Sequence, residues 1–171
     1  VGSRDARIEE SPPGAEIAIA FTMAAAGGTR LVGLVQWWSV LVSTVAVFGI
    51  ARRLGVDVRP AALAALCVPA LPIVALQAPT ALNDVVVGAL VAVAVYFLLD
   101  PRTAGTGLAC TATAALVATK MTSLVAIVVL GAVALVGNTG RRRLSRFAAV
   151  ALGALIGASW LVIAPAGYVG A

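Results

Sequence analysis

The sequence predicts an all-α protein, organised as a polytopic transmembrane helix bundle of about six spans plus one interfacial helix. Three observations lead to this prediction: 61% of the 171 residues are hydrophobic, 11% are charged, and the apolar residues come in long runs. A soluble domain of this size has no need of so much apolar surface. The chain starts at Val1 without a signal-peptide pattern, so we expect a segment of a longer protein.

Two regions are predicted along the chain. Residues 1–30 are expected to form an outer-face loop with an interfacial helix, and residues 31–171 to form the transmembrane bundle. The apolar run 14–27 contains Glu16 and is too short for a hydrocarbon core about 30 Å thick at about 1.5 Å per residue. We therefore expect this run to lie in the membrane interface, with two glycines ending it.

The first three spans follow from hydropathy and from proline. A full-length span is predicted over 31–51, with two adjacent tryptophans towards its first end, as in aromatic belts. A shorter span over 60–77 carries Pro69 and Pro72. Because proline removes a helix hydrogen bond, this span is expected to be kinked or broken. A third span is predicted over 80–99.

The apolar run from 105 to 136 is too long for one crossing. Lys120 interrupts it. The simplest interpretation is a tight pair of spans over 105–119 and 121–137, with Lys120 at the turn. The alternative is a single long, tilted helix with a buried lysine.

The last span is predicted over 147–164. Its Gly153 and Gly157 are four residues apart, a spacing that permits close helix contact. Cys67 and Cys110 both lie inside apolar runs, so we expect small packing residues there rather than a disulfide.

Charge distribution predicts the orientation of the chain. Six crossings place eight of the twelve lysines and arginines on one side, which the positive-inside rule makes the cytoplasm. Five of the seven acidic residues then fall outside. The basic excess thus reports orientation and not nucleic-acid binding, and the expected location is a bacterial plasma membrane. The eight inner residues are Arg52, Arg53, Arg59, Arg102, Arg141, Arg142, Arg143 and Arg146.

Polar side chains gather in the stretch LQAPTALND, which contains Gln77, Thr80, Asn83 and Asp84. The proline in this stretch should end one helix, and Thr80 should cap the next. Asp84 would fall in or just after the first turn. A carboxylate inside an apolar helix costs about 2.5–3.5 kcal/mol on insertion scales, so it is expected to face a cavity or a partner. The alternative is a capped helix start near the membrane surface.

Three places bring polar groups to the predicted outer face: Glu10 with Glu16, the Gln77–Asp84 stretch, and Lys120. Carboxylates can act as general bases or hold a cation, and a lysine can neutralise a phosphate. These groups predict a site for a phosphate-bearing ligand. The alternatives are a solvated loop for the glutamates and a snorkelling turn residue for Lys120. The chain has no histidine, so any metal site would need carboxylate and amide oxygens; no metal ligands are assigned, and a divalent cation is the one cofactor considered.

Four stretches, in order, resemble the GT-C membrane glycosyltransferases, the superfamily of aminoarabinose transferases and protein O-mannosyltransferases, including glycosyltransferase family 39. Residues 8–16, IEESPPGAE, resemble the first-loop proline motif, although Ser11 stands where a lysine often precedes the prolines. Residues 30–55 resemble the next transmembrane helix, which ends in a basic pair. Residues 76–91 resemble the outer turn with an acidic helix start, and residues 107–129 the Thr-Lys segment.

The resemblance implies transfer of a sugar from a polyprenyl-phosphate donor to an acceptor on the outer face. It implies that Glu10 lies in the active-site loop, that Asp84 lines the cavity, and that Lys120 faces the donor phosphate. Gln77, Thr80, Asn83 and Glu16 would then contact substrate. The partners implied are the lipid-linked donor and membrane lipid; the oligomeric state stays open. The family's catalytic acidic motif would lie upstream of Val1.

Two interpretations from other classes remain. A transporter would use broken helices near 79 and 120 to build a substrate site at the membrane midplane. A structural membrane subunit would have no cavity.

Overall fold

The computed structural model describes residues 14–77 and 83–159. These residues form an all-helical structure of eight α-helices and two short 3₁₀ helices, the latter at Thr29–Leu31 and Met121–Ser123. The α-helices are α1 Gly14–Ala26, α2 Leu34–Arg53, α3 Val58–Ala70, α4 Pro72–Gln77, α5 Asp84–Leu98, α6 Ala104–Thr119, α7 Leu124–Val136 and α8 Gly140–Ala158.

The core lies where α5, α6, α7 and α8 pack together, and α2 packs on α5 and α3. Small residues allow the closest approach, between α6 and α8. A Cβ at Gly153 would overlap the carbonyl oxygen of Cys110, and one at Gly157 would overlap that of Ala114. The predicted close helix contact is therefore confirmed. The buried core residues are Ala94, Leu98, Ala109, Ala112, Leu116, Leu130, Ala134 and Val150.

Both predicted helix breaks are present. The chain is extended at Leu71 (ψ 125°), between Pro69 inside α3 and Pro72 at the start of α4. It is extended again at Lys120 (φ −159°, ψ 130°), between α6 and the next 3₁₀ turn. The Ser123 hydroxyl bridges this second break by donating to the Leu116 carbonyl at 3.1 Å. The alternative of one continuous helix is wrong.

Two helices begin four or more residues away from the predicted starts of their spans. The helix α5 begins at Asp84, after Asn83, so the carboxylate stands in the first turn, at the positive helix end. The predicted cap, Thr80, lies outside the described residues. The helix α8 begins at Gly140 instead of 147 and includes all four arginines of the last basic cluster. Arginine has good helix propensity, so this basic segment extends the apolar helix; Arg141, Arg142 and Arg143 are exposed, whereas Arg146 is buried.

Helix length and composition bear on membrane crossing. Within the described ranges, α2 is the one helix that is long and apolar enough to cross a membrane, with 20 residues and a mean hydropathy of 1.8 over its most apolar window. Five further helices, α1, α3, α5, α6 and α7, are apolar but have 10–17 residues. Large apolar side chains are exposed on several helices, including Trp38, Val45, Val128 and Leu155.

Candidate functional site

The polar side chains form two clusters, one at each end of α5. Asp84 is the first residue of this helix, and Asp100 follows its last turn. The 15 residues of α5 separate the clusters by about 22 Å at the rise of an α-helix. We call them the Asp84 cluster and the Asp100 cluster.

The Asp84 cluster consists of Glu16, Gln77, Asn83, Asp84 and Lys120. The Lys120 amine donates to Oδ1 of Asp84, and the Gln77 amide donates to Oδ2 at 3.3 Å. Three separate parts of the chain therefore meet at one carboxylate. The extended backbone at the α6–α7 break places Lys120 there, because a helical residue 120 would continue α6. The side chains of Asp84 and Lys120 are 45% and 35% exposed, so the pair is accessible from outside the fold.

The helix α1 completes the Asp84 cluster. Its Glu16 accepts a hydrogen bond from the Asn83 amide at 3.5 Å, the long end of the range. The start of α1 is held against the end of α6, since a Cβ at Gly14 would lie 2.6 Å from the Ala118 carbonyl oxygen. A glycine at this position lets the two backbones approach and brings Glu16 towards α5.

The structure thus brings five of the seven predicted site residues together, and these five are the members of the Asp84 cluster. The other two, Glu10 and Thr80, lie outside the described residues. The predicted roles of all seven in catalysis or binding stay predictions.

An apolar groove opens beside the Asp84 cluster. It has a volume of about 520 Å³, lies between α2, α3, α4 and α5, and carries Gln77 and Asp84 in its lining. Most of the remaining wall is apolar, with Val47, Val68 and Val85 among its residues. The groove thus combines an apolar channel with a polar, partly charged end.

The carboxylates of this cluster already accept hydrogen bonds from neighbouring side chains. Both Asp84 oxygens already accept hydrogen bonds, from Lys120 and Gln77. Within residues 14–77 and 83–159, acidic and cysteine side chains nowhere form a group of three that could hold a metal. The chemistry offered by these residues is therefore that of an amine, carboxylates and amides.

The Asp100 cluster, at the other end of α5, is densely bonded. Arg53 forms an ion pair with Asp100 at 2.8 Å, donates to the Tyr96 carbonyl at 2.7 Å, and lies 3.7 Å from the centre of the Tyr96 ring. The other Asp100 oxygen accepts the Arg102 backbone N–H at 2.9 Å. That backbone bond and the Arg53 guanidinium hold the pKa of Asp100 below its ordinary value.

Arg146 closes the Asp100 cluster from α8. It is 1% exposed and donates to the carbonyls of Phe97, Asp100 and Arg102, so it caps the C-terminal end of α5. Sequence reasoning counted Arg146 only as a marker of orientation. A signal was present, because Arg146 shares one helix face with Val150, Gly153 and Gly157, all of them buried.

Gln36 on α2 is a second buried polar residue that sequence reasoning missed. Its side chain is fully buried, and only a search for polar positions on the α2 face that packs inward could have found it.

Comparison with protein-family models, with curated proteins and with solved structures gave no match. The resemblance to the GT-C enzymes therefore rests on the sequence stretches alone.

Proposed function

We propose that this chain is part of an integral membrane glycosyltransferase of GT-C type, which transfers a sugar from a polyprenyl-phosphate donor to an acceptor on the outer face. The observation that carries the proposal is the Asp84 cluster at the end of the apolar groove. A lipid-linked sugar phosphate has the same two parts, a long apolar chain and an anionic, hydroxyl-rich head.

Each member of the cluster has a role that fits its chemistry. Lys120 balances the charge of the phosphate, which leaves when the acceptor oxygen forms its bond to the sugar C1. Glu16, Gln77 and Asn83 supply hydrogen bonds to sugar hydroxyls. The acceptor proton passes to a carboxylate, for which Asp84 and Glu10 are the candidates in this chain. Asp84 also holds the Lys120 amine in place before donor binds.

The proposal includes six membrane crossings by α2, by α3 with α4, and by α5, α6, α7 and α8, with α1 in the interface. Two findings support it: large apolar side chains are exposed on several helices, and the two polar clusters lie at opposite ends of α5. Cysteine labelling tests it in a background without Cys67 and Cys110. Cysteines at Thr122 and Thr139 should label from opposite sides of the membrane, and labelling from one side contradicts the topology.

Substitution in the intact protein tests the catalytic part. Asp84→Asn keeps the shape of the side chain and removes its charge, and Lys120→Met keeps the apolar stem. Each should lower sugar transfer by tenfold or more while leaving membrane insertion unchanged. Asp57→Asn, at an exposed residue before α3, is the matched control and should leave transfer unchanged. Undiminished transfer in both Asp84→Asn and Lys120→Met contradicts the proposal.

A transporter is the second candidate, favoured by the helix breaks at Leu71 and Lys120. It would bind its solute near the middle of the helices, whereas Gln77 and Asp84 stand at helix ends. Solute flux across vesicles that contain the intact protein, without any sugar transfer, would favour the transporter.

A further inference from the structure

Gln36, near the start of α2, is completely buried, yet within the described parts of the chain neither its amide nitrogen nor its amide oxygen has a hydrogen-bond partner. Burying an amide without a hydrogen-bond partner is unfavourable, and most buried polar groups in proteins are paired. The serines on the same helix are paired: the hydroxyls of Ser39 and Ser43 donate to backbone carbonyls one turn earlier, each at 2.8 Å. Gln36 therefore has an unused hydrogen-bond donor and acceptor, whereas the Ser39 and Ser43 hydroxyls already donate a hydrogen bond.

The packing of α2 locates Gln36 beside the Asp84 cluster. Val40, four residues further along α2, packs against Val85, the residue after Asp84. The helices α2 and α5 run parallel, since Gly49 lies against Tyr96 and Arg53 pairs with Asp100 further along. Residues four apart share a helix face and are about 6 Å apart along the axis, so Gln36 lies one turn beyond Val40, just past the level of the first residues of α5.

The groove lies along the same buried helix face as Gln36, which is not itself one of its lining residues. Ser43 and Val85 are among the residues that line the groove, and Val74 of α4 packs against the small buried cluster formed by Val40 and Val85. The buried face of α2 thus continues from the groove wall at Ser43, past Val40, to Gln36.

We propose that Gln36 is a sugar-binding residue of this site, which accepts from and donates to hydroxyls on the head of the lipid-linked donor. This inference rests on the proposed glycosyltransferase function. A carboxamide suits neighbouring hydroxyls, because it offers a donor and an acceptor with no charge. The phosphate is left to Lys120, whose charge a neutral amide cannot replace. Gln36 therefore contributes to recognition of the sugar and not of the phosphate.

The test uses Gln36→Met in the intact protein, since methionine has nearly the same length and no hydrogen-bonding amide. Ser39→Ala is the matched control, because Ser39 lies on the same buried face and its hydroxyl is already bonded within α2. Binding is measured in detergent with two probes, polyprenyl phosphate and the same lipid carrying a sugar. Thermal unfolding is measured without either lipid.

We expect Gln36→Met to bind the sugar-bearing lipid about tenfold more weakly and polyprenyl phosphate as well as the wild type does. Its Tm without lipid should stay equal or rise, because an unpaired buried amide is replaced by an apolar group. Ser39→Ala should bind both lipids as the wild type does.

Each of the other outcomes contradicts either the role of Gln36 or the proposed function. A fall in Tm for Gln36→Met shows that the amide is bonded in the unliganded protein and overturns the inference. Unchanged affinity of Gln36→Met for the sugar-bearing lipid, or an equal loss for both lipids, also overturns it while leaving the proposed function intact. A wild-type protein that binds neither lipid overturns both.

Discussion

The two ends of α5 carry ion pairs of similar composition in very different surroundings. At one end Asp100 is 11% exposed, and both its oxygens are bonded, to Arg53 and to the backbone of Arg102. At the other end Asp84 is 45% exposed and shares its oxygens between a lysine and an amide. The first pair is fixed by backbone groups on several sides and holds helices together. The second is held by flexible side chains, so a ligand can compete for it.

The largest effect should come from Arg146→Met. This change removes three hydrogen bonds from a buried guanidinium to carbonyls at the end of α5, of which those of Phe97 and Arg102 keep a backbone N–H partner. We expect a loss of about 3 kcal/mol in the free energy of unfolding, measured by denaturant titration in detergent. Arg143→Met, at an exposed residue of the same helix, is the control and should change it by less than about 0.5 kcal/mol. Similar values for both variants would mean that Arg146 is not an anchor.

A smaller, pH-dependent effect is expected for Asp100→Asn. Because the pKa of Asp100 is lowered below 3.8 in the folded chain, the ionised carboxylate stabilises the fold at pH values above the unfolded pKa. That stabilisation is lost as the pH falls through the lower, folded value. The variant should be about 1–2 kcal/mol less stable than the wild type at pH 7. The difference should shrink below about pH 4, where protonation removes the wild-type advantage.

Unfolding of both proteins across pH 3–7 measures this difference directly. A difference that stays constant over that range would show that the carboxylate charge does not stabilise the Asp100 cluster.

The smallest effect on stability should come from Lys120→Met, although the same variant should strongly lower sugar transfer. Partly exposed ion pairs contribute roughly 0–1 kcal/mol, and the side chains of both partners here are more than a third exposed. We expect a loss below about 1 kcal/mol in the same titration. A loss as large as that of Arg146→Met would make the Asp84 cluster a second structural anchor and would remove the contrast between the two ends.

Local rules predicted most of the helices and both breaks. Proline chemistry placed the break near Leu71, and a charged residue in an overlong apolar run placed the one at Lys120. Charge distribution predicted that these polar residues share one side of the molecule, but it did not predict the lateral packing that joins Gln77, Asn83, Asp84, Lys120 and Glu16 in one cluster.

The sequence could not predict features that depend on packing between distant helices. The burial of Arg146 and Gln36 depends on which neighbours cover them, and charge or polarity alone favours exposure for both. The start of α8 was missed because hydropathy marks the apolar part of a helix and not its basic extension. The start of α5 was missed because a threonine before an apolar run is a common cap, whereas this helix begins four residues later.

The contact between α6 and α8 has a consequence for biosynthesis. Gly153 and Gly157 contact Cys110 and Ala114, but they are synthesised about forty residues after them. At typical synthesis rates this separation corresponds to roughly 2–8 s. During that interval α6 lacks the partner that covers its small-residue face. Thr113 on that face donates its hydroxyl to the Ala109 carbonyl of its own helix at 2.8 Å. The small-residue face of α6 therefore has no unpaired Thr113 hydroxyl during the interval before α8 is synthesised.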